Sequence, residues 1–363
     1  SLTGTGGYVK VGRKGNAKWN FSETFTWSSP GFDLNDMGYM KETDYLMNET
    51  EIMYRQTDIW KIFRYNAFTL SQKNMWNYGG TPFSNNASLR WQSMTMNRYE
   101  WDVKETFAWN WLDSRLLRGG PDVRFGSYFL TSAKFNTDKA KRMMFMLKYE
   151  GDHNFEGNRF NTISPSLTFR LGNHVYLSGQ LDYAWNTDEM QYVATTSPLS
   201  SSSLTPYYYV MGHMDQKTYG LTLKLQVNVP PDISIQFYGA PFTSIAKYDD
   251  FKLAADTKSH TFENRFQRID PDHLTYADGV YTIGEGAGQM PFRNPDFRFN
   301  EFRSNLVARW EYLPGSTLYF VWEHRMSNRD NWYSSGWGSN LDRMWGLPAT
   351  NTFMIKMNYW FNL

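Results

Sequence analysis

Chemistry near neutral pH falls first to histidine, and the chain has six: His153, His174, His213, His260, His273 and His324. They lie in different segments without metal-ligand spacing, which makes them turn, loop or wall residues. Asp249-Asp250 and Asp270-Pro271-Asp272 could attract calcium, but a calcium loop needs several oxygens at defined intervals and those are absent. A glycosidase would need two facing carboxylates at a fixed separation. Glu301, Glu311 and Glu323 are candidates by type, yet charges lining a water-filled lumen account for them equally well. No nucleophile-elbow motif is present. The expectation is a protein that is not an enzyme and needs neither metal nor cofactor.

Residues suited to binding are better represented. Lys224, Gln226, Arg303, Arg309, Glu311 and Lys356 fall on the polar phase of alternating segments, where mixed charge would hold water and form a salt-bridged ladder. The alternative for this row is a selectivity lining. Trp332, Tyr333, Trp337 and Trp345, with Gly and Asn around them, could stack on sugar rings or pack against a partner. They would serve equally as interfacial aromatics.

The elements that must position these side chains are strands. In the last thirteen residues Phe353, Ile355, Met357, Tyr359, Phe361 and Leu363 share one face of an extended chain, while Met354, Lys356, Asn358, Trp360 and Asn362 share the other. Other segments repeat this period of two. Val175, Leu177, Leu181, Tyr183 and Trp185 oppose Tyr176, Ser178, Gln180 and Asp182, and Leu221, Leu223, Leu225 and Val227 oppose Thr222, Lys224, Gln226 and Asn228.

Composition separates the architectures that such strands could build. Aromatics are 18% of 363 residues, with 15 Trp and 24 Tyr, yet mean hydropathy is negative. No run of about 18 apolar residues exists, which excludes a helical membrane protein. An outer-membrane barrel explains the combination, since only alternate residues meet lipid and Trp and Tyr gather at the interfaces. A net charge of +1 without a basic block excludes nucleic acid as a partner. The absence of cysteine is compatible with a cell envelope.

The expected fold is therefore all-β, a transmembrane antiparallel β-barrel of the outer membrane, with about 14–16 strands in this chain, each of about nine to eleven residues. Short turns fall at Gly15-Asn16, Asp58, Asn97, Thr137-Asp138-Lys139, Gly172-Asn173, Pro230-Pro231-Asp232 and Leu313-Pro314-Gly315. Long loops are expected over 29–43, 187–205, 247–299 and 328–350, and residues 206–228 read as one long strand projecting beyond the membrane. Fifteen strands is an odd number, and Ser1 follows neither an initiating Met nor a signal peptide. Both lead to the expectation that an upstream portion of the same precursor contributes further strands.

Several stretches resemble the C-terminal barrel region of a Bacteroidota outer-membrane family of unknown function, whose members often carry an N-terminal domain similar to carbohydrate-binding modules of family nine. These are Ser29-Pro30-Gly31-Phe32 with Asn35-Asp36-Met37-Gly38, then Leu117-Arg118-Gly119-Gly120-Pro121 and Phe237-Tyr238-Gly239-Ala240-Pro241-Phe242. Asn294-Pro295-Asp296-Phe297 and the run Val307 to Leu318 complete the set. The chain departs from a common outer-membrane ending by finishing in Leu363 rather than Phe. The resemblance implies a Gram-negative outer-membrane address, barrel strands upstream, and no known reaction or substrate.

One local conflict remains. Trp19, Phe21, Phe25 and Trp27 share an apolar row with Glu23, and Trp101, Val103, Phe107 and Trp109 share one with Glu105. A carboxylate facing lipid is costly. Either a bulge shifts the register there, or that wall is an interface to another outer-membrane protein. The expected function is accordingly a passage or binding protein for polar solutes or glycans. The alternative is a structural subunit of a larger outer-membrane complex serving secretion, assembly or nutrient uptake.

Overall fold

The computed structural model describes residues 3–33, 40, 42–109, 111–199, 207–229, 232–331 and 337–361, with the backbone alone at 287, 337 and 341. Strands dominate it. The first half contains β1 (Gly6–Arg13), β2 (Trp19–Ser28), β3 (Tyr45–Gln56), β4 (Phe63–Trp76), β5 (Pro82–Thr95), β6 (Glu100–Trp109), β7 (Trp111–Asp113), β8 (Val123–Phe125), β9 (Tyr128–Asn136), β10 (Met143–Asn154) and β11 (Arg159–Leu171). There follow β12 (Val175–Thr196), β13 (Tyr208–Val229), β14 (Ile233–Ala254), β15 (Phe266–Arg268), β16 (Leu274–Ala277), β17 (Val280–Ile283), β18 (Met290–Arg293), β19 (Phe297–Leu313), β20 (Ser316–Asp330), helix α1 (Trp337–Trp345) and β21 (Ala349–Asn358).

Sixteen strands form one antiparallel sheet, in which fifteen follow each other as neighbours in chain order and β15 pairs on β14. Tight turns make this order possible. Gly172, at φ +65°, lies between β11 and β12, and Gly315, at φ +78°, turns β19 into β20, a backbone region that a Cβ disfavours. Among the described residues β1 and β21 do not pair with one another, so the sheet of this chain is open rather than closed into a barrel.

Register carries the two-residue period across the sheet without a break in most pairs. Leu177 lies opposite Leu225, which lies opposite Phe237, which lies opposite Leu306. That face remains exposed and apolar, with Leu70, Leu89, Leu177, Leu223 and Phe320 among its members. The other face is polar and more crowded: Ser22, Thr69, Ser88 and Ser164 are buried there, and the Ser71 and Ser88 hydroxyls lie 2.6 Å apart. Small side chains permit this crowding, and hydroxyl-to-hydroxyl bonding satisfies them.

Two of the expected long loops are largely structured. Residues 187–196 continue β12, and β14 runs on to Ala254, so that β12, β13 and β14 are each 22 residues long. The long single strand expected over 206–228 is found as β13. At about 3.3 Å per residue these three extend about 70 Å. Their upper halves form a platform. Val210 and Met211, adjacent on β13 and so pointing to opposite sides, are both fully buried. Val210 packs with Ile283 and Phe292 from the small sheet β16–β17–β18, and Met211 with Leu117, Val123 and Phe266. The expected loop 247–299 is thus a folded cap, with β18 pinned to the end of β12 by Thr196 Oγ1 donating to the Pro291 carbonyl at 2.9 Å. Between β6 and β9 the chain leaves the main sheet: β8 pairs with β7 instead, and β9 rejoins the sheet beside β6.

Candidate functional site

The polar face gathers the expected row. Lys224 lies opposite Tyr238 and Tyr238 opposite Asn305; Gln226 lies opposite Gln236; Arg309 and Lys356 both lie opposite Tyr319. Arg303 and Glu311 share the phase of Asn305 and Arg309 on β19. The salt-bridged ladder exists in part. Arg309 Nη2 is 2.6 Å from Glu311 Oε2, while Arg303 and Arg325 converge on Glu301 Oε1 at 2.8 and 3.0 Å. Lys224 and Lys356 are in no ion pair among the described residues. Lys224 instead lines a cavity of about 390 Å³, with Tyr176, Gln226, Gln236, Tyr238 and Asn305. The buried Oδ1 of Asn305 has no hydrogen-bond partner among the described residues. A cation beside phenols and amides suits a polar or anionic solute.

A second cavity, of about 420 Å³, lies where the ends of β9, β10 and β11 meet the middle of β12 below the platform, and sequence reasoning missed it. Trp111, Phe125, Tyr128 and Phe160 supply rings, and Asp113, Asp152 and Asp188 supply carboxyls. The Trp111 and Tyr128 rings meet edge to face at 6.0 Å. Burial, with a smaller contribution from the charge of Asp188, pushes the Asp152 carboxyl above its ordinary range. Burial likewise raises Asp188, against a hydrogen bond of 2.9 Å that its Oδ1 accepts from the Met190 amide. The carboxyls are 36 residues apart in sequence. Their shared phase, near the end of β10 and within β12, is the one signal that could have found them.

The β7–β8 hairpin, which brings Trp111 and Phe125 over this cavity, is held by a buried ion pair. Arg265 is fully buried and donates to both oxygens of Glu156, at 2.7 and 2.9 Å, and to the Arg124 carbonyl at 2.8 Å. Glu156 Oε2 also accepts from the Gly126 amide at 2.9 Å. Thr257 completes the tie, accepting from the Arg124 amide at its carbonyl and donating its hydroxyl to the Asp122 carbonyl.

Of the four loop aromatics only Trp345 has a described side chain, and it lines neither cavity. Trp332 and Tyr333 lie outside the described residues, as does the side chain of Trp337, which begins α1. Trp345 ends that helix and meets the Phe302 ring at 4.9 Å. Glu23 and Glu105 do lie on the apolar face, and the register through both is continuous, so no bulge turns them away. Each is hydrogen-bonded across strands: Asn48 Nδ2 donates to Glu23, and Thr131 Oγ1 donates to Glu105 at 2.7 Å. Thr50, Gln72 and Asn74 share the face beside Glu23.

On the platform His213 Nδ1 is 3.1 Å from Glu189 Oε1, and its Nε2 is 3.6 Å from Asp215 Oδ2. Burial pulls the imidazole pKa down, but Glu189, Asp215 and Asp249 outweigh it and hold the pKa above the ordinary value. A raised folded pKa stabilises fully below the unfolded value of about 6.5 and is lost as pH rises through the folded value. His213→Gln is therefore expected to speed proteolysis of the platform at about pH 5.5 and to change it little at about pH 8, as read by fragment mapping. Among the described residues no three His, Asp or Glu side chains are arranged to hold a metal.

A family model for a domain of unknown function, DUF5916, matches residues 2–363. No curated protein and no solved structure matches the chain.

Proposed function

The chain belongs to the DUF5916 family, and on that premise we propose that its sheet is part of the wall of an outer-membrane β-barrel that passes or binds polar solutes or glycans. The observation that carries this reading is the contrast between the two faces. An exposed apolar band spanning the sheet exceeds what a water-soluble surface ordinarily shows, and Trp19 and Trp27, or Trp101 and Trp109, bracket it where interfacial aromatics belong. The polar face, with Lys224 and the charged row around it, would then line the lumen. The address follows the resemblance, the outer membrane of a Gram-negative bacterium of the Bacteroidota. No helix of the described residues is long and apolar enough to cross a membrane, and in this reading the strands do so.

Lipid does not tolerate open sheet edges. In this reading β1 and β21 meet further strands, from the same precursor or from another outer-membrane protein. Fifteen alternating strands leave those two edges running in the same direction, so antiparallel closure needs an odd number of additions.

A second reading is a non-enzymatic structural subunit. The polar strip around Glu23, unbroken in register, favours it as the place where a neighbouring protein replaces lipid. Planar-bilayer recording of the natively purified protein separates the two. A passage protein gives conductance, and Lys224→Glu shifts its selectivity toward cations by severalfold. Silence in the bilayer together with stoichiometric envelope partners in the preparation would replace the passage reading by the subunit.

A further inference from the structure

The cavity beneath the platform has a composition that neither passage nor scaffolding explains. Asp152 and Asp188 both line it, and neither is in an ion pair among the described residues. Arg159 also lines it but pairs with neither carboxylate. His153 beside Asp152, and Lys252 and His213 near Asp188, offset only part of the burial, so both carboxyls stay costly to ionise, and an incoming cation relieves that cost. The rest of the wall carries four rings, Trp111, Phe125, Tyr128 and Phe160, with a third carboxyl, Asp113, and the amides of Asn154, Asn158 and Asn186 among them. The faces of Trp and Phe attract a cation and also stack on the apolar face of a sugar ring. The volume of about 420 Å³ lies within the range of small-molecule sites. The site is preorganised, since the Arg265–Glu156 pair and the Gly126 amide hold the hairpin that carries Trp111 and Phe125.

We propose that this cavity is a subsite for a positively charged sugar, a hexosamine unit with a free amine, whose ring stacks on Trp111 or Phe160 and whose ammonium group lies between Asp152 and Asp188. This deepens the glycan-binding reading above and rests on it. An N-acetylated unit lacks the charge that the two carboxyls would meet. A neutral hexose offers the ring face alone.

The test is titration calorimetry of the full chain in detergent micelles with three probes: a glucosamine trimer, its fully N-acetylated counterpart, and choline. The glucosamine trimer is expected to bind at least tenfold more tightly than either of the others. Asp152→Asn and Asp188→Asn, which keep side-chain shape, should each weaken the glucosamine trimer tenfold or more and leave the acetylated trimer unchanged. Trp111→Leu should weaken both trimers. Circular dichroism and resistance to trypsin identify any variant that has lost its fold. Equal or tighter binding of the acetylated trimer overturns the proposal while leaving glycan binding intact. Choline binding as tightly as the glucosamine trimer makes this a site for simple organic cations, and glycan binding fails with it. If no probe binds, both are overturned.

Discussion

Arg265→Ala is expected to release the β7–β8 hairpin and to cost about 3–5 kcal/mol in the stability of the cap, because it leaves Glu156 as a buried carboxylate without its cation. The loss extends beyond one pair. The guanidinium also donates to the carbonyls of Arg124, Ser259 and His260. New tryptic cuts should appear within 111–125 and 255–265 while the main sheet keeps its far-ultraviolet signature. The double variant Arg265→Met with Glu156→Met should recover much of the resistance, since replacing both ions by apolar groups removes the uncompensated charge. A cap that stays protected in Arg265→Ala would mean that the two apolar clusters on β13 hold it without help.

Leu223→Arg carries the next largest effect and tests the membrane itself. Leu223 lies between Gly179 and Gly239 across β12, β13 and β14, about midway along the part of β13 that would span the bilayer. Arginine at the lipid-facing midplane costs about 2–4 kcal/mol. Folding yield into lipid vesicles should fall accordingly, whereas Gln226→Arg, three residues on and on the polar face, should fold almost normally. If both substitutions are equally mild in vesicles, the apolar face does not meet lipid.

How far the fold could be read in advance varies with the length of its repeats. Stretches such as 175–185 of β12 and 221–227 of β13 alternate without a break, so the existence and order of such strands are legible. The platform is not, and the reason is burial on both sides. In the Thr187–Thr196 stretch Met190 packs into one cluster while Val193 and Ala194 flank the other, so apolar residues no longer alternate with polar ones. The cap strands β15 to β18 are three or four residues long, below any detectable period.

The site divides in the same way. Lys224, Gln226, Arg303, Arg309, Glu311 and Lys356 were legible as one row because they inherit the period of the wall. Asp152 and Asp188 were not, because what singles them out is the hairpin folded over them, and that hairpin is fixed by Arg265 from a segment more than a hundred residues away.

The 22-residue length of β12, β13 and β14 also sets a distance. A tilted strand crosses hydrocarbon with about ten residues, so in the proposed membrane wall about half of each of these three would stand clear of it. At a tilt near 45° that half rises about 25 Å, several times the thickness of one headgroup layer. On the proposed membrane reading the cap is lifted out of the lipid surface into the surrounding medium. On that reading a polymer too broad to thread the wall could still reach the cavity under the cap by its tip, and its first encounter with the protein would fall well outside the membrane.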